Sequence, residues 1–474
     1  MSNTSESRTD ARAASGTPYA AVDTAARVNE GDASDAGDST EVRKPHRWNE
    51  NPTRIAQVVG TMYSFIVLGM HDAAIGALIP WLETYYHINY ATISFAFLAP
   101  VLGYITSALL NNTLHVHFGH RGVAVFSSGA RLIAYIILSF HPPFAIVVIV
   151  LVIAGSGNGL SDGGWNAWIG GMDDANELLG VLHGFYGLGG MASPAIATSL
   201  VTKLNWQWYQ FYYILASLAF IELALLTTAF WKSDGAHYRE THGVSHPNEV
   251  ADSERPEGEV DETTGLLADG SAPAPTQKKA TMSEVLQSKI TWIVSIFLIG
   301  YVGVEVALGG WITTFMLRAR HASPFASGMA ATLFWTGITV GRVILGFVTP
   351  RAFPSVKEAV VAYLFLAIVS QLAFWFIENF IVSLVSIFWL GFALGPLFPA
   401  AVVAATGLLD SHLHVSAIGF MSALGASGAT IAPFLVGAIA QLAGDVKVMQ
   451  PVVLVCLLVC LGIWSLLPSL AKRR

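Results

Sequence analysis

Twelve long apolar runs constrain the fold of this chain more than any other feature of its sequence. They follow one another between residues 55 and 469, and each carries few or no charges. About 20 consecutive apolar residues in a helix cross the hydrocarbon core of a bilayer. The runs therefore predict an all-α membrane protein with twelve transmembrane helices, over residues 55–81, 91–114, 121–141, 143–170, 178–202, 209–231, 290–317, 325–349, 356–377, 380–408, 413–442 and 448–469.

The charged residues are concentrated in two polar segments. Hydrophobic residues make up 53% of the 474 residues and charged residues only 12%, about half the share in an ordinary soluble domain. Residues 1–50 and 233–288 are rich in Ser, Ala, Asp, Glu, Pro and Gly, a composition that cannot form a core. We expect a disordered cytosolic tail over 1–50, a six-helix bundle over 51–232, a disordered linker over 233–288, a second six-helix bundle over 289–470 and a short tail over 471–474.

Several classes of function lack their usual signals in this sequence. No basic cluster interleaved with aromatic residues indicates nucleic-acid binding. The two cysteines, Cys456 and Cys460, lie in the last apolar run and are too few for a disulfide framework or a metal site. Because no nucleophile–base pair stands out either, we expect no enzyme activity, no cofactor and no metal.

The distribution of Lys and Arg predicts the orientation in the membrane. Short connections on the cytosolic side of a membrane protein carry an excess of these residues, and the bias here puts both termini in the cytosol. Arg318 and Arg320 run against this bias. The expected location is the plasma membrane, or the vacuolar membrane if the segment Glu262–Leu267 acts as an acidic dileucine sorting signal.

The two halves of the chain repeat each other. Matching segments lie from 233 residues apart, for Asp72 and Glu305, to 239 residues apart, for Gly189 and Gly428. Two parallel six-helix repeats with a site at their interface are typical of many secondary transporters. The matching segments are Asp72–Gly76 with Glu305–Gly309, Gly103–Ser107 with Gly337–Gly341, Gly155–Gly159 with Gly391–Gly395, and Gly189–Pro194 with Gly428–Pro433.

Over residues 54–470 the sequence resembles the major facilitator superfamily, and within it the branch of fucose:proton symporters, sodium-dependent glucose transporter-like proteins and related fungal transporters. The connection NNTLHVHFGHR (111–121) resembles a degenerate form of the loop between the second and third helices, without its usual Asp. The stretches that carry the branch resemblance are HDAAIGALIPWL (71–82), GNGLSDGGWNAW (157–168), LHGFYGLGGMASP (182–194), YVGVEVALGGW (301–311) and LGASGATIAP (424–433).

Acidic residues inside the predicted spans are the candidates for proton coupling. A charge at the centre of a membrane helix costs about 2.5–3.5 kcal/mol on insertion scales, so such residues usually have a function. The resemblance implies that the first, fourth and seventh helices, which carry Asp72, Asp162 and Glu305, line a central cavity. It gives the proton-coupling role to Asp72 and Asp162, although the branch usually has Glu at the latter position.

A purely structural role is the alternative for each of these acids. A buried carboxylate can be held neutral or paired with Arg131 or Arg342, and the sequence does not say which acid each arginine meets. We expect a structural role for Glu222, because the sixth helix is peripheral in this superfamily.

Polar and aromatic residues near the acids predict a sugar-like or polyol solute. Amides hydrogen-bond to hydroxyl groups, and indole rings pack against the apolar faces of sugars. Trp and Tyr can instead anchor helix ends at the membrane interface. The candidate substrate-binding residues are Asn158, Asn166, Tyr186 and Trp311.

The leading hypothesis is a monomeric secondary active transporter that moves a small polar solute by alternating access. The coupling ion is a proton, with sodium as an open possibility, and the partners are a small-molecule substrate and the lipid bilayer. Two alternatives remain: an exporter of a small organic metabolite by proton antiport, and a nutrient sensor that binds solute without transporting it.

Overall fold

A computed structural model describes residues 47–242, 282–410 and 413–468, and in these ranges the regular structure is helical. The rest of the tail, most of the linker and the dileucine segment 262–267 lie outside the described residues. The helices are α1 Pro52–Tyr86, α2 Tyr90–Ser139, α3 Phe144–Gly170, α4 Ala175–Lys203, α5 Phe211–Ala229, α6 Gly235–His242, α7 Met282–Gln287, α8 Lys289–Arg318, α9 Pro324–Ala352, α10 Val356–Phe376, α11 Phe380–Leu394, α12 Leu397–Leu408, α13 His414–Ala443 and α14 Met449–Ser465.

The predicted membrane spans all correspond to helices. Among the described residues, ten helical segments are long and apolar enough to cross a membrane. One of them, α2, has 50 residues and contains two predicted spans, because the backbone turns at Gly119 with φ 65° and ψ −161°. Another joins α11 and α12 across a break at Gly395 and Pro396. With α2 counted twice and the less apolar α4 included, the twelve predicted crossings are present.

The turn at Gly119 is filled by the start of the segment predicted as a disordered linker. A Cβ on Gly119 would lie 2.3 Å from the carbonyl oxygen of Asp234, and Arg239 donates a hydrogen bond to Val116 O at 2.7 Å. Asp234 caps α6 by accepting a hydrogen bond from the backbone N–H of His237 at 3.0 Å, which lowers the pKa of Asp234. Because α6 and α7 are helical, the prediction of disorder over 233–288 is corrected at both ends of the segment.

The packing of the two halves follows the repeat seen in the sequence. A Cβ on Gly103 would lie 2.2 Å from the carbonyl oxygen of Val152. A Cβ on Gly337, its partner in the repeat, would lie 2.2 Å from the carbonyl oxygen of Phe388. Val152 and Phe388 are themselves 236 residues apart, as the repeat requires. Glycine at these positions therefore permits the same close helix contact in each half.

The halves meet through α1 with α8, α2 with α13, and α4 with α9. We call the end of the bundle that carries Glu83 and Arg318 the outer end, because the charge bias assigns it to the outside. There Arg318 donates a hydrogen bond to Glu83 Oε2 at 2.8 Å and lies over the ring of Tyr90. Lys203 lies over the ring of Phe325 at 3.9 Å. Arg318 thus runs against the charge bias because it joins the two halves.

One face of α3 carries small and polar residues towards the opposite, inner end. On α3 the exposed residues near the outer end are large and apolar, as at Ile146 and Ile149, which are 42% and 61% exposed. Nearer the inner end, a second accessible face of α3 carries no large apolar residue. Water is therefore a more favourable neighbour for this face than lipid. This face consists of Gly159, Asp162, Gly163, Asn166, Ala167 and Gly170.

Candidate functional site

Asp72 lines a cavity in the middle of the bundle. It is exposed, although His71 before it and residues 73–80 after it are buried. The helix that carries it, α1, packs against α4, α5 and α8 and so lies inside the bundle. A carboxylate at this depth can be accessible only through a cavity between the helices.

Two side chains from other helices hold the Asp72 carboxylate. Tyr186 on α4 donates its hydroxyl to Oδ2 at 3.0 Å, and the amide of Asn158 on α3 donates to Oδ1 at 3.2 Å. Among the described residues no cation forms an ion pair with Asp72. The structure therefore brings together three of the residues predicted from the sequence.

Arg131 connects this carboxylate to a buried ion pair. Its guanidinium is fully buried and pairs with Glu222 on α5, which is equally buried. It also donates to Ser161 Oγ at 2.8 Å, to Ser64 Oγ at 3.0 Å and to Asn158 Oδ1 at 3.4 Å. Arg131 is therefore the partner of Glu222.

Asp162 lies on the accessible face of α3, one turn nearer the inner end than Asn158. The amide of Asn166 donates to its Oδ1 at 2.8 Å. Asn158, one turn away on the same helix, is the residue whose amide binds Asp72. Asp162 and Asn166 therefore lie nearer the inner end of α3 than Asn158 does.

Glu305 has a different environment from Asp72, its partner in the repeat. It is buried, accepts a hydrogen bond from the hydroxyl of Tyr301, and accepts another from Arg342 at 3.4 Å. Arg342 also donates its Nε–H to the carbonyl oxygen of Gly395 at 3.2 Å. Glu305 therefore has a cation beside it, whereas Asp72 has two neutral donors.

The sequence analysis missed Trp335, which lies between the two halves. Its ring contacts Tyr186 edge to face, with centroids 6.3 Å apart, and a Cβ on Gly309 would meet it at 2.9 Å. Its buried indole N–H has no hydrogen-bond partner among the described residues. A Trp in the middle of a predicted span, far from the interfaces where Trp serves as an anchor, was the signal that could have identified it.

Trp311 lies away from the other predicted site residues. It is fully buried, and its indole N–H donates to the carbonyl oxygen of Pro433 at 2.9 Å. Its ring packs edge to face on Tyr90, beside the contact that Arg318 makes at the outer end. Trp311 thus packs within the closed outer end, and its N–H is already bonded.

Comparisons with known proteins agree with this architecture. The family model of the Major Facilitator Superfamily matches residues 61–433. The chain belongs to this superfamily. The Saccharomyces cerevisiae protein named Bypass of stop codon protein 6 is 30% identical over 442 residues, which cover 90% of this chain and 85% of that protein. The Bacillus subtilis protein named Glucose/mannose transporter GlcP is 20% identical over 374 residues, which cover 79% of this chain and 85% of that protein.

Solved structures show the same fold. Two crystal structures of a bacterial homolog of the human lysosomal transporter Spinster, both described as inward-facing, one occupied and one unoccupied, superpose with a TM-score of 0.63 each. The occupied structure is 12% identical to this superfamily member, and the match covers 88% of this chain and 97% of the solved one. The unoccupied structure is 11% identical, and the match covers 87% of this chain and 96% of the solved one. The fold and the family together make the chain a multi-pass secondary transporter.

Breaking the ion pair between Arg318 and Glu83 should make the outer end of the bundle open more often. We expect Arg318→Gln to leave the nearly buried carboxylate of Glu83, 4% exposed, without its cation. The test is maleimide labelling of a Ser94→Cys variant in which Cys456 and Cys460 are replaced by Ala, because Ser94 is fully buried at this closure. Arg318→Gln should raise the labelling rate about fivefold, which corresponds to roughly 1 kcal/mol.

The control is Arg320→Gln in the same labelling background. Arg320 bonds the carbonyl oxygen of Trp375 at 2.9 Å and pairs with Glu378, and all three belong to one half. Its loss should leave the labelling rate unchanged. Equal rates for Arg318→Gln and the parent would show that the ion pair does not hold the halves together.

Proposed function

We propose that this superfamily member is a proton-coupled transporter of a small polar solute rich in hydroxyl groups, and that Asp72 and Asp162 carry the proton. One observation carries the proposal: Asp72 is accessible in a cavity at the centre of the bundle, held by neutral donors and without a cation beside it. A carboxylate in that setting can exist in both protonation states as its surroundings change. Glu305, predicted as a third coupling residue, has Arg342 beside it, and we propose that it serves the ion pair.

The proposed substrate class follows from the groups around the cavity. Tyr186 and Asn166 are polar and partly accessible, and the buried indole N–H of Trp335 beside Tyr186 has no hydrogen-bond partner among the described residues. Aromatic rings also pack well against the apolar face of a sugar ring. The Bacillus subtilis relative is named a glucose/mannose transporter, which supports hexoses as the first compounds to test. For Asn158 and Trp311, which bond within the protein, we propose supporting roles.

The proposed transport cycle uses the contacts at the outer end. With that end closed, solute and proton pass between Asp162 and Asp72 and the inner end along the accessible face of α3. Protonation removes the negative charge of the site, and a neutral site is less costly to enclose within the membrane. The halves then rock so that the close glycine contacts between α1 and α8 separate, which opens the site to the outside.

We propose the plasma membrane or the vacuolar membrane as the location, with both termini in the cytosol, and imaging of a tagged chain distinguishes the two membranes.

The proposed function itself is tested by uptake into proteoliposomes. We expect one or more labelled hexoses or polyols to accumulate under an imposed pH gradient.

The same compounds are measured with a sodium gradient and with no gradient. Accumulation with sodium alone would contradict proton coupling. Binding without uptake would identify a sensor. Uptake only when the inside of the proteoliposomes is more acidic than the outside would identify an antiporter.

A further inference from the structure

We infer that Arg131 and Glu222 are positioning residues which fix the place where Asp72 takes up its proton, namely Oδ2, the oxygen that faces Tyr186. This inference rests on the proposed function, since it concerns the carboxylate that carries the proton. Neither Arg131 nor Glu222 touches the cavity, because both side chains are fully buried. Their effect on the position of the Asp72 proton runs through Asn158.

The first step is the ion pair itself. Glu222 belongs to α5, and its oxygen Oε1 pairs with Arg131. A buried ion pair seldom adds net stability compared with apolar residues of the same volume. Its presence next to the site is therefore better explained by what Arg131 does there, which is to donate to Asn158 at 3.4 Å.

The second step is the orientation of the Asn158 amide. An arginine side chain has only donors, so the group of Asn158 that faces Arg131 must be the carbonyl oxygen. The NH₂ group of Asn158 then points to Asp72 Oδ1, at 3.2 Å. Asn158 is fully buried, so the amide is held by these two contacts.

The third step is the position of the proton. Oδ1 of Asp72 faces an NH₂ group that can only donate, so a proton on Oδ1 would place two donors against each other. Oδ2 faces the hydroxyl of Tyr186 at 3.0 Å, and a hydroxyl can either donate or accept. Protonation therefore occurs on Oδ2, and Tyr186 turns from donor to acceptor when it does.

Other charged and titratable groups surround Asp72 as well. Arg131 and Glu222 balance each other, so the pair as a whole adds little net charge at the site. Asp162 adds negative charge from α3. The groups that face Asp72 or its partners from the packed helices are His71 on α1, Arg131, Tyr104 and Tyr135 on α2, Asp162 on α3, Tyr186 on α4, Glu222 on α5 and Glu305 on α8.

The test is infrared spectroscopy of the purified full-length protein, which needs no substrate. A protonated carboxyl group gives a C=O stretching band, and the band that Asp72→Asn removes belongs to Asp72. The parent should show a single Asp72 band, because the proton occupies one oxygen. In Glu222→Gln the positive charge of Arg131 is no longer balanced, and it favours the ionised form of Asp72. The band of the protonated carboxyl should therefore appear at a pH about one unit lower than in the parent. Glu222→Asp keeps the charge and should restore the parent behaviour.

A neutral double variant keeps the inference testable if Glu222→Gln does not fold. Arg131→Met with Glu222→Leu replaces the pair by apolar residues, a change that buried pairs often tolerate. It frees the Asn158 amide to rotate, so the Asp72 band should split into two. An unchanged single band in the double variant, or an unchanged pH range in a folded Glu222→Gln protein, would overturn the inference and leave the proposed function standing. The absence of any Asp72 band in the parent would instead count against the role proposed for Asp72 itself.

Discussion

Asp72→Asn is expected to abolish accumulation of the solute under a pH gradient while exchange of labelled for unlabelled solute continues. The amide matches the carboxylate in size but cannot take up or release a proton. Exchange moves solute in both directions without net proton movement, so it does not need the acid. Because no cation pairs with Asp72 among the described residues, the change strands no buried charge, and normal expression is expected.

The measurement compares expression, exchange and accumulation on one preparation of proteoliposomes. Asp162→Asn should behave in the same way if Asp162 shares the proton. Glu222→Gln provides the contrast, because it leaves Arg131 unpaired in the membrane at a cost of about 3–5 kcal/mol and should reduce expression. Full accumulation by a well-expressed Asp72→Asn protein would refute the coupling role of Asp72.

Gly76→Val should hold the transporter open at its outer end and stop net transport. A Cβ at Gly76 would lie 2.5 Å from the carbonyl oxygen of Gly309 and 2.6 Å from Cα of Gly310, both in the other half. Overpacking of this kind costs about 1–3 kcal/mol, which disfavours the closed outer end by roughly 5- to 150-fold. The transport rate should fall by a similar factor, and maleimide labelling of Ser94→Cys should become fast.

Two other glycines serve as controls for Gly76→Val. A Cβ on Gly129 would meet no atom within 4 Å, so Gly129→Val should transport normally. A Cβ on Gly189 would lie 2.1 Å from the carbonyl oxygen of Ile66 in the same half, so Gly189→Val should fail to fold rather than change conformation. Slow labelling of Ser94→Cys in a folded but inactive Gly76→Val protein would contradict the expected open state.

The fold could be predicted from the sequence because membrane insertion leaves a strong local signal. Every span needs a long apolar run, and the repeat was visible because glycines such as Gly103 and Gly337 make the same close contact in each half. The helical start of the linker was missed, because α6 is polar and its order comes from packing against the turn at Gly119.

The candidate site could be predicted only in part. Asp72, Asn158 and Tyr186, each a candidate from the sequence, lie in hydrogen-bonding contact. The partners of Arg131 and Arg342 could not be predicted, because a pairing between distant helices depends on rotations that leave no trace in the apolar pattern. For the same reason the sequence favoured Trp311, whereas Trp335 is the tryptophan that contacts Tyr186.

The most direct test of proton coupling is the pH of a weakly buffered suspension of proteoliposomes when solute is added without an imposed gradient. A symporter carries protons inward with the solute, so the medium outside should become alkaline in proportion to the solute taken up. Asp72→Asn proteoliposomes should take up no protons. Uptake of solute by the parent protein with no change in the external pH would contradict the account.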